Sequence, residues 1–279
     1  NLITNNVMEK LRNQNNLASA LQIQGKLDEA IEIFNEILEQ IKSIDNFPQE
    51  SIIINNLGTI YKEKGDLDNA LQYFEQALRK DEASGDLKAK AIRLSNIGTV
   101  YLDKGDFETA LDFFQKSLII FEQQKAHGNC AISSSNIGTI YLSFGEYQKA
   151  MIFLLKSFEI NKSLGIKRYS ASNLRKLGTI FYNQQKYDKA LHFFEKAHEF
   201  ATEINEVKSI AYSRFKLGRI YQRKDDLVGA IAFYKSALDM NQKQVEGEEI
   251  SHKEGHINCP NKKCDNLIEL KFLGEQGAI

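Results

Sequence analysis

Apolar residues recur three, four and seven positions apart along most of this chain, the period of one face of an α-helix. In NIGTVYLDKGDFETALDFFQKSL, Asn96 to Leu118, the pattern runs twice and is broken once, by the polar turn KGDFE. The stretch predicts two antiparallel helices: Gly105 takes the left-handed position that ends the first, and Asp106 caps the second. Almost the same words stand at Asn56 to Leu78 and at Asn136 to Phe158, 40 residues apart each time without insertion. A fixed period of this length marks stacked copies of one supersecondary unit.

The register extends to six copies. Reading every fortieth residue gives Ala18, Gly58, Gly98, Gly138, Gly178 and Gly218. Three residues on stand Leu21, Tyr61, Tyr101, Tyr141, Phe181 and Tyr221. An unbroken alanine column comes next at Ala30, Ala70, Ala110, Ala150, Ala190 and Ala230, and four residues later Phe34, Phe74, Phe114, Leu154, Phe194 and Tyr234. Small columns let two helices approach closely. We expect each glycine to face the alanine of its own unit, with aromatics such as Tyr101 and Phe114 filling the space beside the contact. A mid-helix glycine costs roughly 0.8–1 kcal/mol against alanine, and packing must offset it. The fifth and sixth units carry Gln185 and Asp225 where the others place the turn glycine, so their turns are expected to stop the helix less well.

These columns resemble the signature of the tetratricopeptide repeat family: Leu-Gly, then Tyr, then Ala, Phe and Ala in a helix-turn-helix. The resemblance implies an all-α fold, a right-handed α-solenoid of six units and about twelve helices over residues 1–241, with a non-repeat tail at 242–279. Unit bounds fall near 7–46, 47–86, 87–126, 127–166, 167–206 and 207–241. The unit is 40 residues long against the family's usual 34 or so, and the family's proline near the unit's end is missing. This longer form is similar to that of spindle-orientation adaptors, kinesin light chains and the sensor segments of some microbial regulators.

The family's superhelix implies a concave wall lined by the first helix of each unit. Residues there that packing does not need are candidates for binding. Two positions before the glycine stand Asn16, Asn56, Asn96 and Asn136, then Lys176 and Lys216; just after it stand Thr59, Thr99, Thr139 and Thr179, then Arg219. Asparagine donates and accepts at once, so a ladder of them can hold an extended peptide backbone without dictating its sequence; the other reading is a merely solvated face. Lys176, Lys216, Arg219 and Arg223 should share the wall in the last two units and grip carboxylates or a phosphorylated segment, unless they too form only a solvated charged face. The expected partner is a protein or peptide, with acidic residues toward that end. A clamp for chaperone tails is disfavoured, because Ser19 stands where such clamps carry Asn.

Composition narrows the remaining classes. A formal net charge of −1 over 279 residues argues against a nucleic-acid binder driven by overall charge. No apolar run is long enough to span a membrane, and no signal-peptide pattern opens the chain. It begins with Asn1 rather than Met, which reads as a fragment or a processed product. Three cysteines suit a reducing, cytoplasmic setting better than a disulfide framework.

Past Met240 the columns stop, and NQKQVEGEEISHKEGH reads as a linker. Then Cys259 and Cys264, with the alternating run at Ile268, Leu270 and Phe272, resemble the first knuckle and strand of a zinc ribbon. Zinc takes four ligands. Either a second cysteine pair lies beyond Ile279 in a parent protein, or His252 and His256 complete the site. No cofactor is otherwise implied. There is no phosphate-cradling Gly-rich loop, nucleophile elbow or metalloprotease motif, so we expect no enzyme. The expected function is a non-catalytic interaction scaffold; the alternative is the sensory segment of a larger signalling enzyme or transcription regulator.

Overall fold

The structure is a computed structural model that describes residues 2–42, 47 and 49–254. The chain divides into two compact units, Asn1–Phe200 and Ala201–Ile279. In the first lie α1 (Leu2–Ile23), α2 (Leu27–Ile41), α3 (Glu50–Glu63), α4 (Leu67–Ser84), α5 (Leu87–Asp103), α6 (Phe107–Gln123), α7 (His127–Ser143), α8 (Tyr147–Ser163), α9 (Lys167–Asn183) and α10 (Tyr187–Glu203), the last ending just past the division. The second holds α11 (Val207–Arg223) and α12 (Leu227–Glu254). Among the described residues no strand occurs, and the fold is an all-α solenoid. Each odd helix pairs with the even helix after it, and α2, α4, α6 and α8 pack in turn against the next odd helix.

The turns follow from one left-handed residue. Gly65 and Gly105 both sit at φ +80°. The N–H of Gly65 reaches the Lys62 carbonyl and that of Asp66 reaches Tyr61, each at 2.9 Å, closing the helix as a C-terminal glycine motif does. The carboxylates of Asp66 and Asp106 then accept from the backbone N–H of Asn69 and Thr109, at 3.2 and 3.1 Å. Side-chain hydrogen bonds from Asn69 and Thr109, with these backbone bonds next, hold both carboxyls below their ordinary pKa. Where glycine is absent the turn keeps its shape. Gln185 and Asp225 take φ +58° and +60°, and Lys186 still donates to Phe181 at 2.9 Å, as Asp226 does to Tyr221 at 3.0 Å. The expected loosening is not seen. The missing glycine is met by backbone strain on the order of 1–2 kcal/mol per residue, not by a different hydrogen-bond pattern.

The atoms nearest the glycine column come from the bulky column of the next helix, Phe74, Phe114, Leu154, Phe194 and Tyr234. A Cβ on Gly58 would lie 2.7 Å from the Phe74 ring, one on Gly98 3.1 Å from Phe114, and one on Gly178 2.9 Å from Phe194. At Gly138 and Gly218 an alanine carbonyl, of Ala150 or Ala230, also approaches, at 3.2 and 3.3 Å. The reason is size: the ring reaches across the crossing, and alanine admits it by leaving room at its side. Tyr101 stacks on Phe113, not Phe114, with ring centres 5.6 Å apart. The same stack recurs between Tyr61 and Tyr73 and between Phe181 and Phe193, at 5.2 Å in both.

Successive pairs meet through neighbouring columns of changing chemistry. Ile41 and Ile53 are both buried in one apolar cluster. The equivalents Asp81 and Arg93 form a buried ion pair at 2.9 Å. At the next step Ser133, the equivalent of Arg93, shares a hydrogen bond of 3.1 Å with Ser117, one turn before Phe121 on α6, and after that Asn173 donates to Ser157 at 2.8 Å.

The last helix differs from the sequence reading. α12 continues to Glu254, through residues that read as linker. No proline falls between Asn241 and Glu254, and Glu, Gln and Lys dominate there. These are good helix formers, and Gly247 alone costs only about 1 kcal/mol.

Candidate functional site

The polar columns of the odd helices lie on one helix face, because their spacing is i, i+3. In the first unit Asn16 is exposed, while Asn56, Asn96, Asn136, Lys176 and the threonines Thr59, Thr99, Thr139 and Thr179 are half-buried. Their hydrogen bonds divide the work. Each threonine hydroxyl donates back to its own helix: Thr59 to the Asn55 carbonyl at 3.1 Å, Thr99 to Asn96 at 2.7 Å, Thr139 to Ser135 at 2.7 Å and Thr179 to Arg175 at 2.9 Å. The proton thus committed, these hydroxyls can meet a ligand only as acceptors. Asn96 donates from Nδ2 to Asn55 Oδ1 at 2.6 Å, tying α5 to α3. One N–H of an amide with two donors and an acceptor is used in this way.

Lys176 repeats that link with a charged group. Its Nζ donates to Ser135 Oγ at 2.9 Å, across the same 41-residue step. Ser135 donates onward to Asn173 Oδ1 at 2.9 Å, Asn173 Nδ2 to Ser157 Oγ at 2.8 Å, and Ser157 to the Ala131 carbonyl at 2.7 Å. The ammonium thus sits at the outer end of a buried polar chain that joins α9, α7 and α8. Burial, and secondarily the neighbouring Arg175, pull its pKa down to about 8. Lys176 is therefore not the solvated cation the column suggested. It is a desolvated charge.

Four residues before each asparagine runs a further row that the sequence reading missed: Ile52 and Ile132 are exposed and Ile92 is half-buried. A step of i, i+4 places them beside the amides, and the 40-residue register would have revealed them. The partners Asn55, Ser135 and Asn173 were missed too.

In the second unit Lys216, Arg219 and Arg223 share one face of α11 at i, i+3 and i+7. Lys216 Nζ lies over the Tyr212 ring, 5.1 Å from its centre, and 5.7 Å from that of Phe215. Arg214 turns away, its Nη1 reaching Ser236 Oγ at 2.6 Å and Met240 Sδ at 3.1 Å on α12. Cys259, Cys264 and His256 lie outside the described residues, as does the side chain of His252. Among the described residues no cluster of His, Cys, Asp and Glu suits a metal, and no helix is long and apolar enough to cross a membrane. Cys130 is buried, and burial raises its thiol pKa.

A periodic stack of helix pairs with a polar ladder along its first helices is a helical repeat array, the framework of an interaction scaffold. The profile of the tetratricopeptide repeat matches residues 9–83, 91–163 and 169–243, and a second profile of the same repeat matches 55–125. The chain belongs to the tetratricopeptide repeat family. No curated protein matches it in sequence. Among solved structures it is similar to a Signal Transduction ATPase with Numerous Domains protein with a tetratricopeptide repeat sensor, from Pyrococcus horikoshii. The identity there is 21% and the TM-score 0.74, over 85% of this chain and 36% of that one. It is similar to the apo form of RapI at 16% identity and TM-score 0.68, covering 85% of this chain and 99% of that one. A Rap protein complexed with Competence and Sporulation Factor matches at 16% identity and TM-score 0.58, over 83% and 76%. At these identities the likeness is one of fold.

Proposed function

We propose that this chain is a non-catalytic holder of a protein segment, which lies along the odd-helix face of the first unit with an acidic or phosphorylated side chain at Lys176. The observation that carries the proposal is the ammonium itself. Burial and Arg175 both act against its charge, and a ligand anion would offset both by pairing with it. Asn56, Asn96 and Asn136 would meet the ligand backbone, Thr59, Thr99 and Thr139 would accept from it, and the Ile52, Ile92 and Ile132 row would receive apolar side chains. On α11 of the second unit, Lys216, Arg219 and Arg223 offer further cationic contacts for an acidic partner. The complex of a similarly folded Rap protein with Competence and Sporulation Factor is consistent with this use of the fold. Selection of random peptides on the wild-type chain and on Lys176→Met tests the reading. Enrichment of Asp, Glu or phosphorylated residues on the wild type, lost on the variant, is the expected result; identical pools would remove Lys176 from the site.

A second reading has one observation behind it. The archaeal signalling protein above carries its tetratricopeptide repeats as a sensor, and this chain spans 36% of it. The groove would then report ligand occupancy to an output domain. A parent sequence carrying such a domain decides between the two readings. Overall charge near zero disfavours nucleic acid as the partner, and reduced cysteines fit a cytoplasmic setting.

A further inference from the structure

Three apolar columns on α2, α4, α6 and α8 are covered in the first unit. Leu27, Ile31 and Leu38 of α2 are half-buried, as are Leu67, Leu71 and Leu78 of α4 and Tyr147, Met151 and Phe158 of α8. On α6, Phe107 and Leu111 are half-buried and Leu118 is buried. These four helices each pack against the odd helix that comes next. The same three columns on α12 are open: Leu227 is 60% exposed, Ile231 53% and Leu238 57%. Steps of four and seven put them on one stripe.

A second difference lies at the stripe's edge. Asp28, Asp68, Glu108, Gln148 and Asp188 occupy one exposed column of the earlier even helices. On α12 that column holds Val228, 83% exposed. A site that is acidic or polar in five units has become apolar where the neighbouring stripe is bare. An array that simply ended would gain solubility from a polar residue here.

The outer face of α1 carries different chemistry. Ile53, Ile54, Leu57 and Ile60 of α3 are buried. Their equivalents on α1 are Asn13, Gln14, Leu17 and Ala20. Asn13, Gln14 and Leu17, with Glu9 and Lys10, line an open depression on α1. This face of α1 is mostly polar, with Leu17 exposed among Lys10, Asn13 and Gln14.

We propose that the α12 stripe of Leu227, Val228, Ile231 and Leu238 is a self-association surface through which two copies of this chain pair about a two-fold axis. The occupant is set by the chemistry each end can cover. Stacking α1 of a second copy onto the stripe would set Lys10, Asn13 and Gln14 against leucine and isoleucine. Each polar group buried without a partner costs about 1–3 kcal/mol, and such a head-to-tail contact propagates into open filaments unless its rotation closes a ring. The stripe of a second copy has the matching chemistry, and an isologous contact closes after two chains. The four side chains leave open on the order of 500 Å² per copy, over half of the ~800 Å² per partner of a standard interface. Lys235, exposed between Ile231 and Leu238, lies at the rim, where its ammonium stays in water.

Sedimentation of the full chain from about 1 to 100 µM, a range that brackets micromolar association, tests the proposal. We expect the mass to double with concentration, and Ile231→Lys and Leu227→Lys each to weaken association at least tenfold with unchanged helix content. Val228→Lys, at the most exposed of the four positions, serves if either variant fails to fold. A wild-type chain that stays monomeric over the whole range would overturn the proposal, and so would folded variants that pair as tightly as the wild type.

Discussion

Replacing Lys176 by methionine should make the protein more stable at neutral pH. The folded-state pKa of about 8 stands below the ordinary 10.5. At pH 7 the lysine is charged in both folded and unfolded chains, so the full desolvation penalty opposes folding. Between pH 8 and 10.5 the folded lysine gives up its proton before the unfolded one does. The unfolded state then binds more protons, and stability rises with pH. Above 10.5 the penalty is gone. Each pKa unit is worth about 1.4 kcal/mol, which over the 2.5 units between 10.5 and about 8 sets a ceiling of about 3.5 kcal/mol. The lost hydrogen bond to Ser135 takes back about 1 kcal/mol, and Ser135 keeps Asn173 as its partner. Methionine retains the volume of the stem. The expected gain is thus about 1–2 kcal/mol at pH 7, shrinking above pH 8 and absent near pH 10.5. Urea denaturation of both proteins at pH 7 and pH 10, with amide exchange in α9 because repeat arrays can unfold in parts, reads it out. A variant less stable than the wild type at pH 7, or a difference that does not change with pH, would refute the reasoning.

Further outcomes rest on the packing and the charges. Gly58→Ala should cost about 1–2 kcal/mol, despite alanine's better helix propensity, because its Cβ falls 2.7 Å from the Phe74 ring; Gly98→Ala, at 3.1 Å from Phe114, should cost less, and thermal melts rank the two. Arg93→Met leaves Asp81 buried without its ion-pair partner and should destabilise by about 3–5 kcal/mol, whereas the double variant Arg93→Met with Asp81→Leu should recover most of that in a urea titration. Lys216→Glu with Arg219→Glu should leave the circular dichroism spectrum unchanged and weaken capture of an acidic peptide. Wild-type capture of that peptide should itself decline as salt is raised.

The fold was legible because one register repeats without insertion. Asp86 and Asp106 mark the starts of α5 and α6, and Gly105 and Gly145 follow the ends of α5 and α7. The sequence could not tell that Gly58 faces Phe74, since both small columns satisfy the same spacing and only the ring's reach separates them. The end of α12 was misjudged because the loss of apolar columns was read as loss of helix, although helix formers such as Gln242 and Lys243 need no buried face to continue a helix already begun. The candidate site was half visible. The column of Asn56, Asn96 and Asn136 is evident from the period alone. The state of Lys176 is not, because it depends on Ser135, 41 residues earlier, and on burial by two other helices. Nor does periodicity reveal that the threonine hydroxyls spend their protons on their own helices.

If the odd-helix face of the first unit holds a partner segment, binding must be felt at its asparagines. Side-chain amide resonances of Asn56, Asn96 and Asn136, followed by nuclear magnetic resonance while a selected acidic peptide is titrated in, test it most directly. These three pairs of signals should shift together, the Lys176 Hζ and ε-methylene signals should move with them, and Lys176→Met should abolish the shifts at equal peptide concentration. Shifts confined to the even helices, with the three asparagine amides unmoved, would contradict it.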